Sequence, residues 1–323
     1  MKLPRRKFLH LVTGAATLPA VSRIARAQTY PTRPVRVIAG YAAGGGPDIV
    51  ARLMSEWLSE RLGQQFIVEN RTGAGTNLAT EAVVRALPDG YTLLEVTAGN
   101  AFNATLYDNL SFDFIRDIAP IASISRTPFV MEVNPSVPVK TVPEFIVYAK
   151  ANPGKLNMAS NGIGSAGHVA GELFETMTGV NMVHVPYRGS YLPDLLAGQT
   201  QVTFSPIPTS IEQIRAGKLR VLAVTTARRV EALPDIPTVD EFVPGYEASG
   251  WLGFGAPKNT PTEIIDKLSK QISAGVADPK MKARLMDVGS VPMAMTPAEF
   301  GKLIADETEK WGKVIRAGNI KPD

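Results

Sequence analysis

The chain has 323 residues, is 45% hydrophobic and 20% charged, and contains no cysteine. That is enough for one large or two medium domains with proper cores, and it excludes a disulfide framework. The formal charge of +4 does not mark a basic protein: six of the 34 lysines and arginines lie in residues 1–27, leaving 28 basic against 30 acidic side chains. Nucleic-acid binding therefore has no electrostatic footprint.

Residues 1–27 read as an export signal. Arg5-Arg6-Lys7-Phe8-Leu9 is a twin-arginine-type start, although Pro4 stands where Ser or Thr is usual. Residues 9–21 are modestly apolar, and Ala25-Arg26-Ala27 places small residues around a cleavage point before Gln28. The expectation is an exported chain, cut after residue 27 and resident in the periplasm, with the export route left open. No later window approaches the ~18 unbroken apolar residues of a membrane helix.

A strand is predicted at 35–41 and a helix at 49–62, where Ile49, Val50, Leu53, Met54, Trp57, Leu58 and Leu62 form one apolar stripe. Between them lie Gly44, Gly45, Gly46, Pro47 and Asp48. A glycine turn into a helix head leaves backbone N–H groups for an anion, and Pro47 and Asp48 suit the first helical turn. The same turn could equally be a tight connection that binds nothing.

A strand at 65–70, a second glycine turn, a helix at 77–87 and a strand at 91–97 follow. This alternation predicts a parallel α/β sheet. Residues 98–117 read as irregular, and 118–125 and 129–134 as two strands. A second series alternates helix 143–151, strand 156–160, helix 164–179 and strand 182–185. It continues with helix 192–197, strand 202–205, helix 207–216 and strand 219–226. A proline-studded connection over 233–246, a strand at 251–256 and helices at 261–276, 279–288 and 297–315 complete the chain. The fold class expected is α/β with two lobes, and ligands in such sheets sit beyond the carboxyl ends of the strands.

The busiest polar stretch is Asn161-Gly162-Ile163-Gly164-Ser165-Ala166-Gly167-His168. It fails as a nucleophile elbow because Ile163 stands where Gly-x-Ser-x-Gly needs glycine. It is better read as a second helix head offering Asn161, Gly164, Ser165 and His168 to an anion. Gly73-Ala74-Gly75 begins like a dinucleotide fingerprint but lacks its third glycine, so no cofactor is expected. Only His10, His168 and His184 exist, without metal-ligand spacing, so no metal is expected. His184 reads as a satisfied core or edge residue. Tyr187 and Arg188 end a strand, and Arg188 could clamp a carboxylate or form a surface ion pair.

Several ordered stretches together resemble the extracytoplasmic solute-binding receptors of tripartite tricarboxylate transporters, the Bug family. They are Gly44-Gly45-Gly46-Pro47-Asp48, Val68-Glu69-Asn70-Arg71-Thr72-Gly73-Ala74-Gly75 and Pro88-Asp89-Gly90-Tyr91-Thr92. Further on come His184-Val185-Pro186-Tyr187-Arg188-Gly189, the segment 214–225 and Leu233-Pro234-Asp235-Ile236-Pro237. The resemblance covers essentially the whole mature chain. It implies a two-lobed, type II periplasmic-binding fold closing on a small carboxylate in the cleft between lobes, without catalysis, and handing it to membrane permease subunits. Lobe 1 would comprise 28–124 and 250–323, and lobe 2 residues 125–249, hinged near 123–127 and 249–251.

Carried over by position, Tyr41, Gly44, Gly45, Gly46 and Asp48 would form the first half of the site. Asn161, Gly164, Ser165, His168, Tyr187 and Arg188 would form the second. Relatives commonly carry an aspartate at position 205; Ser205 here removes a negative charge expected near the cleft. Alanines at 42 and 43 also replace the usual prolines. A monomer is the default for such receptors. The rival readings are an exported hydrolase using Ser165 with His168, and a ligand sensor for a signalling partner.

Overall fold

The computed structural model describes residues 30–187 and 190–322, so the expected signal at 1–27 and Arg188 lie outside the described residues. The first series is β1 (Val35–Ala39), α1 (Gly46–Leu62), β2 (Phe66–Asn70), α2 (Asn77–Val84) and β3 (Thr92–Thr97). These strands are parallel, with Val37 opposite Val68 and Leu93. β-Branched and leucine side chains fill both faces of β1 and β3, as a strand covered by helices on both sides requires. α1 stops at Gly63, whose left-handed φ of 72° lets its N–H close on the Ser59 carbonyl.

The segment expected to be irregular instead holds α3 (Ala98–Leu106) and α4 (Phe114–Asp117). Its Gly and Asn content conceals the helix, but Thr97 and Asn100 form a capping box. The buried amides are satisfied from outside: Asn100 Nδ2 donates to Thr80 Oγ1 at 2.9 Å, and Asn103 Nδ2 to Asn77 Oδ1 at 3.0 Å. Tertiary partners thus decide a helix that composition disfavours.

The two strands expected over 118–134 are one, β4 (Ile118–Val133). Pro128 looked like a break, yet it stands at a handover. Pro128 opposite Ser249 is the last pair with β9 (Ser249–Pro257), and Phe129 opposite Pro206 is the first with β7 (Val202–Pro206). A proline costs little where one ladder ends and the next begins.

The second series is α5 (Val142–Ala151), β5 (Asn157–Ser160), α6 (Ala166–Thr178), β6 (Val183–Pro186), α7 (Leu192–Leu196), β7, α8 (Ile207–Arg215) and β8 (Arg220–Val224). After β9 come α9 (Thr262–Ala277), α10 (Pro279–Asp287), the short β10 (Val291–Pro292), which no periodicity announced, and α11 (Pro297–Ala317). The strand order is β2-β1-β3-β9-β4-β7-β5-β6, with β8 and β10 both paired to β4. β4 therefore belongs to two half-sheets, one on each side of Pro128.

One core packs α1, α9 and α10 on the first half-sheet through Val37, Met54, Leu58, Leu93, Phe254 and Leu268. A larger core joins Phe102 of α3 and Trp311 of α11 to Met131, Phe174, Phe204 and Tyr246 in the second series. Gly253 in β9 shows how tight the junction is: a Cβ there would lie 2.4 Å from the Ala122 carbonyl and 2.5 Å from the Phe300 ring. Gly253→Ala is expected to cost about 1–3 kcal/mol by overpacking, read as a lower urea midpoint at unchanged slope.

Candidate functional site

The first loop is held from below. Asp48, in the first turn of α1, is only 1% exposed. Its carboxylate accepts from the Gly44 N–H at 2.9 Å, from Arg52 Nε and Nη2 at 2.9 and 3.0 Å, and from Asn70 Nδ2 at 2.7 Å. Asn70 Nδ2 also donates to the Tyr41 carbonyl at 2.9 Å. Burial disfavours the Asp48 charge, but hydrogen bonds from Arg52, Asn70 and Gly44 outweigh it and hold the carboxyl below its ordinary range.

This brace changes which backbone groups are available. The Gly44 N–H is committed to Asp48, and the Gly45 N–H reaches the Ala42 carbonyl at 3.2 Å. The head of α1 is therefore Gly46 and Asp48, whose N–H groups have no intrahelical partner. Space above Gly44 and Gly46 is open, with nothing within 4 Å of an added Cβ, and Gly44 has a left-handed φ of 81°. Tyr41 is half-buried, and its hydroxyl lies against Thr97 and Gly99 at the start of α3. Burial, with help from the Glu95 carboxyl, pushes that hydroxyl up against the Thr97 hydrogen bond.

Below the loop sits Glu95, 2% exposed in β3, whose carboxyl meets no side-chain donor and has only the Gly40 amide to oppose its burial. Burial pushes it up to about 8, with the Gly40 amide opposing weakly and Asp48 reinforcing the shift. Burial thus favours its protonated form at neutral pH. Its one mark in the sequence is a glutamate inside the apolar strand Thr92-Leu93-Leu94-Glu95-Val96.

The second loop heads α6. Gly162 and Gly164 adopt φ values of 111° and 73°, and Asn161 is exposed at the edge. The Gly164 N–H donates to His168 Nδ1 at 3.0 Å, and Ser165 caps the helix by accepting the His168 N–H at 3.4 Å. Gly167 packs so closely on β7 that a Cβ would meet the Phe204 carbonyl at 2.4 Å. The amides of Ala166 and Gly167 are the ones that helix geometry leaves without an intrahelical partner.

The two loops border the same helix. A Cβ on Gly164 would lie 2.3 Å from Leu106 at the end of α3, while the Tyr41 hydroxyl of the first loop lies against Gly99 at its start. Tyr187 is half-buried, and its hydroxyl donates to Asp194 Oδ2 at 2.7 Å. Burial first, then Asp194, pushes that phenol up to about 12. Ser205 is fully buried and donates to Glu132 Oε1 at 2.7 Å. The acid missing at 205 is thus present on the neighbouring strand, where Ser210 also donates to Glu132 at 2.7 Å. Burial pushes Glu132 up to about 6 against those two hydroxyls. Among the described residues no group of three or more His, Cys, Asp or Glu side chains could hold a metal ion.

Comparison with known proteins agrees with this architecture. Protein BugT of Bordetella pertussis is 33% identical over 300 residues, covering 91% of this chain and 92% of BugT. An Agrobacterium vitis protein, encoded between ttuE and ttuC', is 35% identical over 328 residues, covering 97% and 94%. Among solved structures, R. palustris Rpa4515 with adipate superposes with a TM-score of 0.81 at 37% identity, covering 91% of this chain and all of that one. MatC of Rhodopseudomonas palustris with bound malate gives 0.76 at 29% identity, covering 88% and 100%. The fold is thus the two-lobed α/β arrangement of periplasmic binding proteins. The model of the tripartite tricarboxylate transporter family receptor matches residues 50–320, and the chain belongs to that family.

Proposed function

We propose that this protein is an exported, monomeric receptor that takes a small organic dicarboxylate between two lobes and presents it to the permease of a tripartite tricarboxylate transporter, making and breaking no bonds. The observation that carries the reading is the pair of glycine-fronted helix heads, α1 and α6, with Tyr41 of the first loop against Gly99 at the start of α3 and Gly164 of the second against Leu106 at its end. Each head favours an anion by about 0.3–1 kcal/mol, more when partly buried. The adipate and malate held by the two Rhodopseudomonas relatives support the dicarboxylate class. Family membership and the leader-like residues 1–27 support a periplasmic location. Among the described residues no helix is long and apolar enough to cross a membrane.

The lobes would meet where β4 changes partners, at 128/129, and where the chain re-enters β9 at Ser249. Arg126, paired with Glu247 and donating to Ser249 Oγ at 3.2 Å, ties the two crossings together. Ligand would shift the open–closed balance only through contacts made when the heads converge. We assign ligand contacts to the backbone of Gly46, Asp48, Ala166 and Gly167, with Asn161, Ser165 and Tyr41 lining the site and Gly44, Gly45 and Asp48 shaping it. Hydrolysis is disfavoured by geometry. His168 Nδ1 accepts from Gly164 and Nε2 lies 3.3 Å from Glu172, so neither ring nitrogen is left for Ser165.

Titration calorimetry against mono-, di- and tricarboxylates is expected to find a dicarboxylate bound at micromolar affinity or tighter. Ser165→Ala should weaken it by about 0.5–1 kcal/mol through loss of the helix cap. A panel without a single binder would overturn the assignment.

A further inference from the structure

The second loop rests on a pair of histidines. The His168 and His184 rings stack face to face, 3.6 Å between centroids and 5° from parallel. His168 is 4% exposed and reaches the loop directly, its Nδ1 accepting the Gly164 N–H at 3.0 Å. His184, on β6, lies 2.6 Å through Nε2 from Ser160 Oγ. That hydroxyl in turn donates to the Gly162 carbonyl at 3.0 Å and accepts the Gly162 N–H at 3.2 Å. Both ends of the glycine loop are therefore tied to imidazoles that touch each other.

We propose that His168, backed by the stacked His184, is a positioning residue forming a proton-sensitive clasp on residues 160–165: neutral, its Nδ1 holds the loop in its ligand-receiving shape, and protonation at Nδ1 releases it. The proposal rests on the reading that this loop receives the carboxylate. A proton on His168 Nδ1 would point at the Gly164 N–H, turning an acceptor into a second donor and breaking the tether. Gly164, with φ 73° and Leu106 packed against it, has no other tie in its own loop that fixes its amide. A charge on either ring also faces its stacked neighbour at van der Waals distance.

The surroundings set the sign. Among the described residues, α6 contributes Glu172, 3.3 Å from His168 Nε2, and Glu175 further along, which accepts the Met182 N–H. β5 contributes the neutral Ser160, β6 only His184 itself, and α11 ends with Gly318 against Glu172. Glu172 is the one charge that favours protonation. Burial first and the neighbouring His168 second nonetheless pull His184 down to about 4. An unclasped imidazole titrates near ~6.5. His184 therefore stays a neutral neighbour down to mildly acid pH, and acid acts on the loop through the acceptor at His168 Nδ1.

The test uses the mature full-length chain with histidine and glycine ¹⁵N labels. Without ligand, the Gly164 amide and the His168 imidazole are expected to shift together as pH falls from 7.5 to 5, while the His184 imidazole, held down to about 4, stays neutral. In His168→Asn, whose amide oxygen takes the place of Nδ1 without titrating, the Gly164 amide should stay put. In calorimetry with adipate, wild-type affinity should fall about tenfold further over that interval than the affinity of His168→Asn. Protonation of adipate itself is common to both proteins and cancels. His184→Gln, which keeps an amide nitrogen near Ser160 and leaves His168 in place, should keep the wild-type response of the Gly164 amide. A Gly164 amide indifferent to pH in the wild type, or parallel falls in wild type and His168→Asn, would overturn the clasp. A titrating Gly164 in a protein that binds neither adipate nor malate at pH 7.5 would uphold the clasp and remove the proposed ligand.

Discussion

Replacing Asp48 by alanine is expected to lower stability by about 2–3 kcal/mol and to weaken carboxylate capture at least tenfold, about 1.4 kcal/mol or more. The carboxylate is 1% exposed and gathers donors from Gly44, Arg52 and Asn70, so one deletion unties the loop, the helix head and the end of β2 together. Arg52 remains half exposed, which keeps the cost below that of a fully buried pair left with one member. Asp48→Asn, which retains shape but not charge, should lose less stability than alanine and still bind more weakly than wild type. Because the folded carboxyl sits below its ordinary value, its stabilisation is present above the usual carboxylate range and is lost as pH falls through and below it. Chemical unfolding at several pH values, alongside calorimetry, checks both halves. Unchanged affinity in a folded Asp48→Ala protein would remove the loop from the site.

The second large effect has the opposite sign. Glu95→Gln is expected to stabilise the protein at pH 8 by about 2–3 kcal/mol, raising the melting temperature by roughly 5 °C. A glutamate titrates near ~4.3 in the unfolded chain, whereas burial pushes Glu95 up to about 8 in the folded one. The folded state thus binds the proton more tightly. Stability is fully present below the unfolded value, falls as pH rises from about 4.3 to 8, and is flat beyond. At ~1.4 kcal/mol per unit the ionised end of that window costs about 4–5 kcal/mol. A glutamine removes it but still buries an unpaired amide, which takes back about 1–3 kcal/mol. Melting curves from pH 5 to 8.5 should slope downward for wild type and be nearly level for the variant. Equal slopes would show that Glu95 has a partner or water access that lowers its pKa.

The halves of the candidate site were unequally legible. The α1 head could be read from Gly44-Gly45-Gly46-Pro47-Asp48 because each residue type has a local reason to stand at a helix start. Its brace could not. Asn70 is 22 positions from Asp48, and nothing local marks an asparagine at a strand end as the partner of a helix acid. His184 read as a satisfied residue in an apolar strand, and it is half-buried; its ring stacks on His168 only because β5 and β6 pair in parallel, with Met158 opposite His184. Ser205 read as a lost charge, and its hydroxyl bonds a buried acid, Glu132 on β4, which only the register beside β7 reveals.

What the sequence by itself determined is whatever is encoded within a few turns of chain. Strand and helix periodicity, glycine turns, helix caps and the basic leader all rest on neighbours in sequence, as does the order of motifs that marks the family. What only the tertiary structure decided is whatever depends on partners brought from afar. The helix hidden in 98–106 exists through Asn100 and Asn103 meeting Thr80 and Asn77. The single strand through Pro128 exists because two ladders meet there. The raised pKa of Glu95 follows first from burial, with Asp48 adding to it. The reason is physical: a hydrogen bond or a desolvated charge is settled by what stands a few ångströms away in space, and the chain brings those groups together only once it has folded.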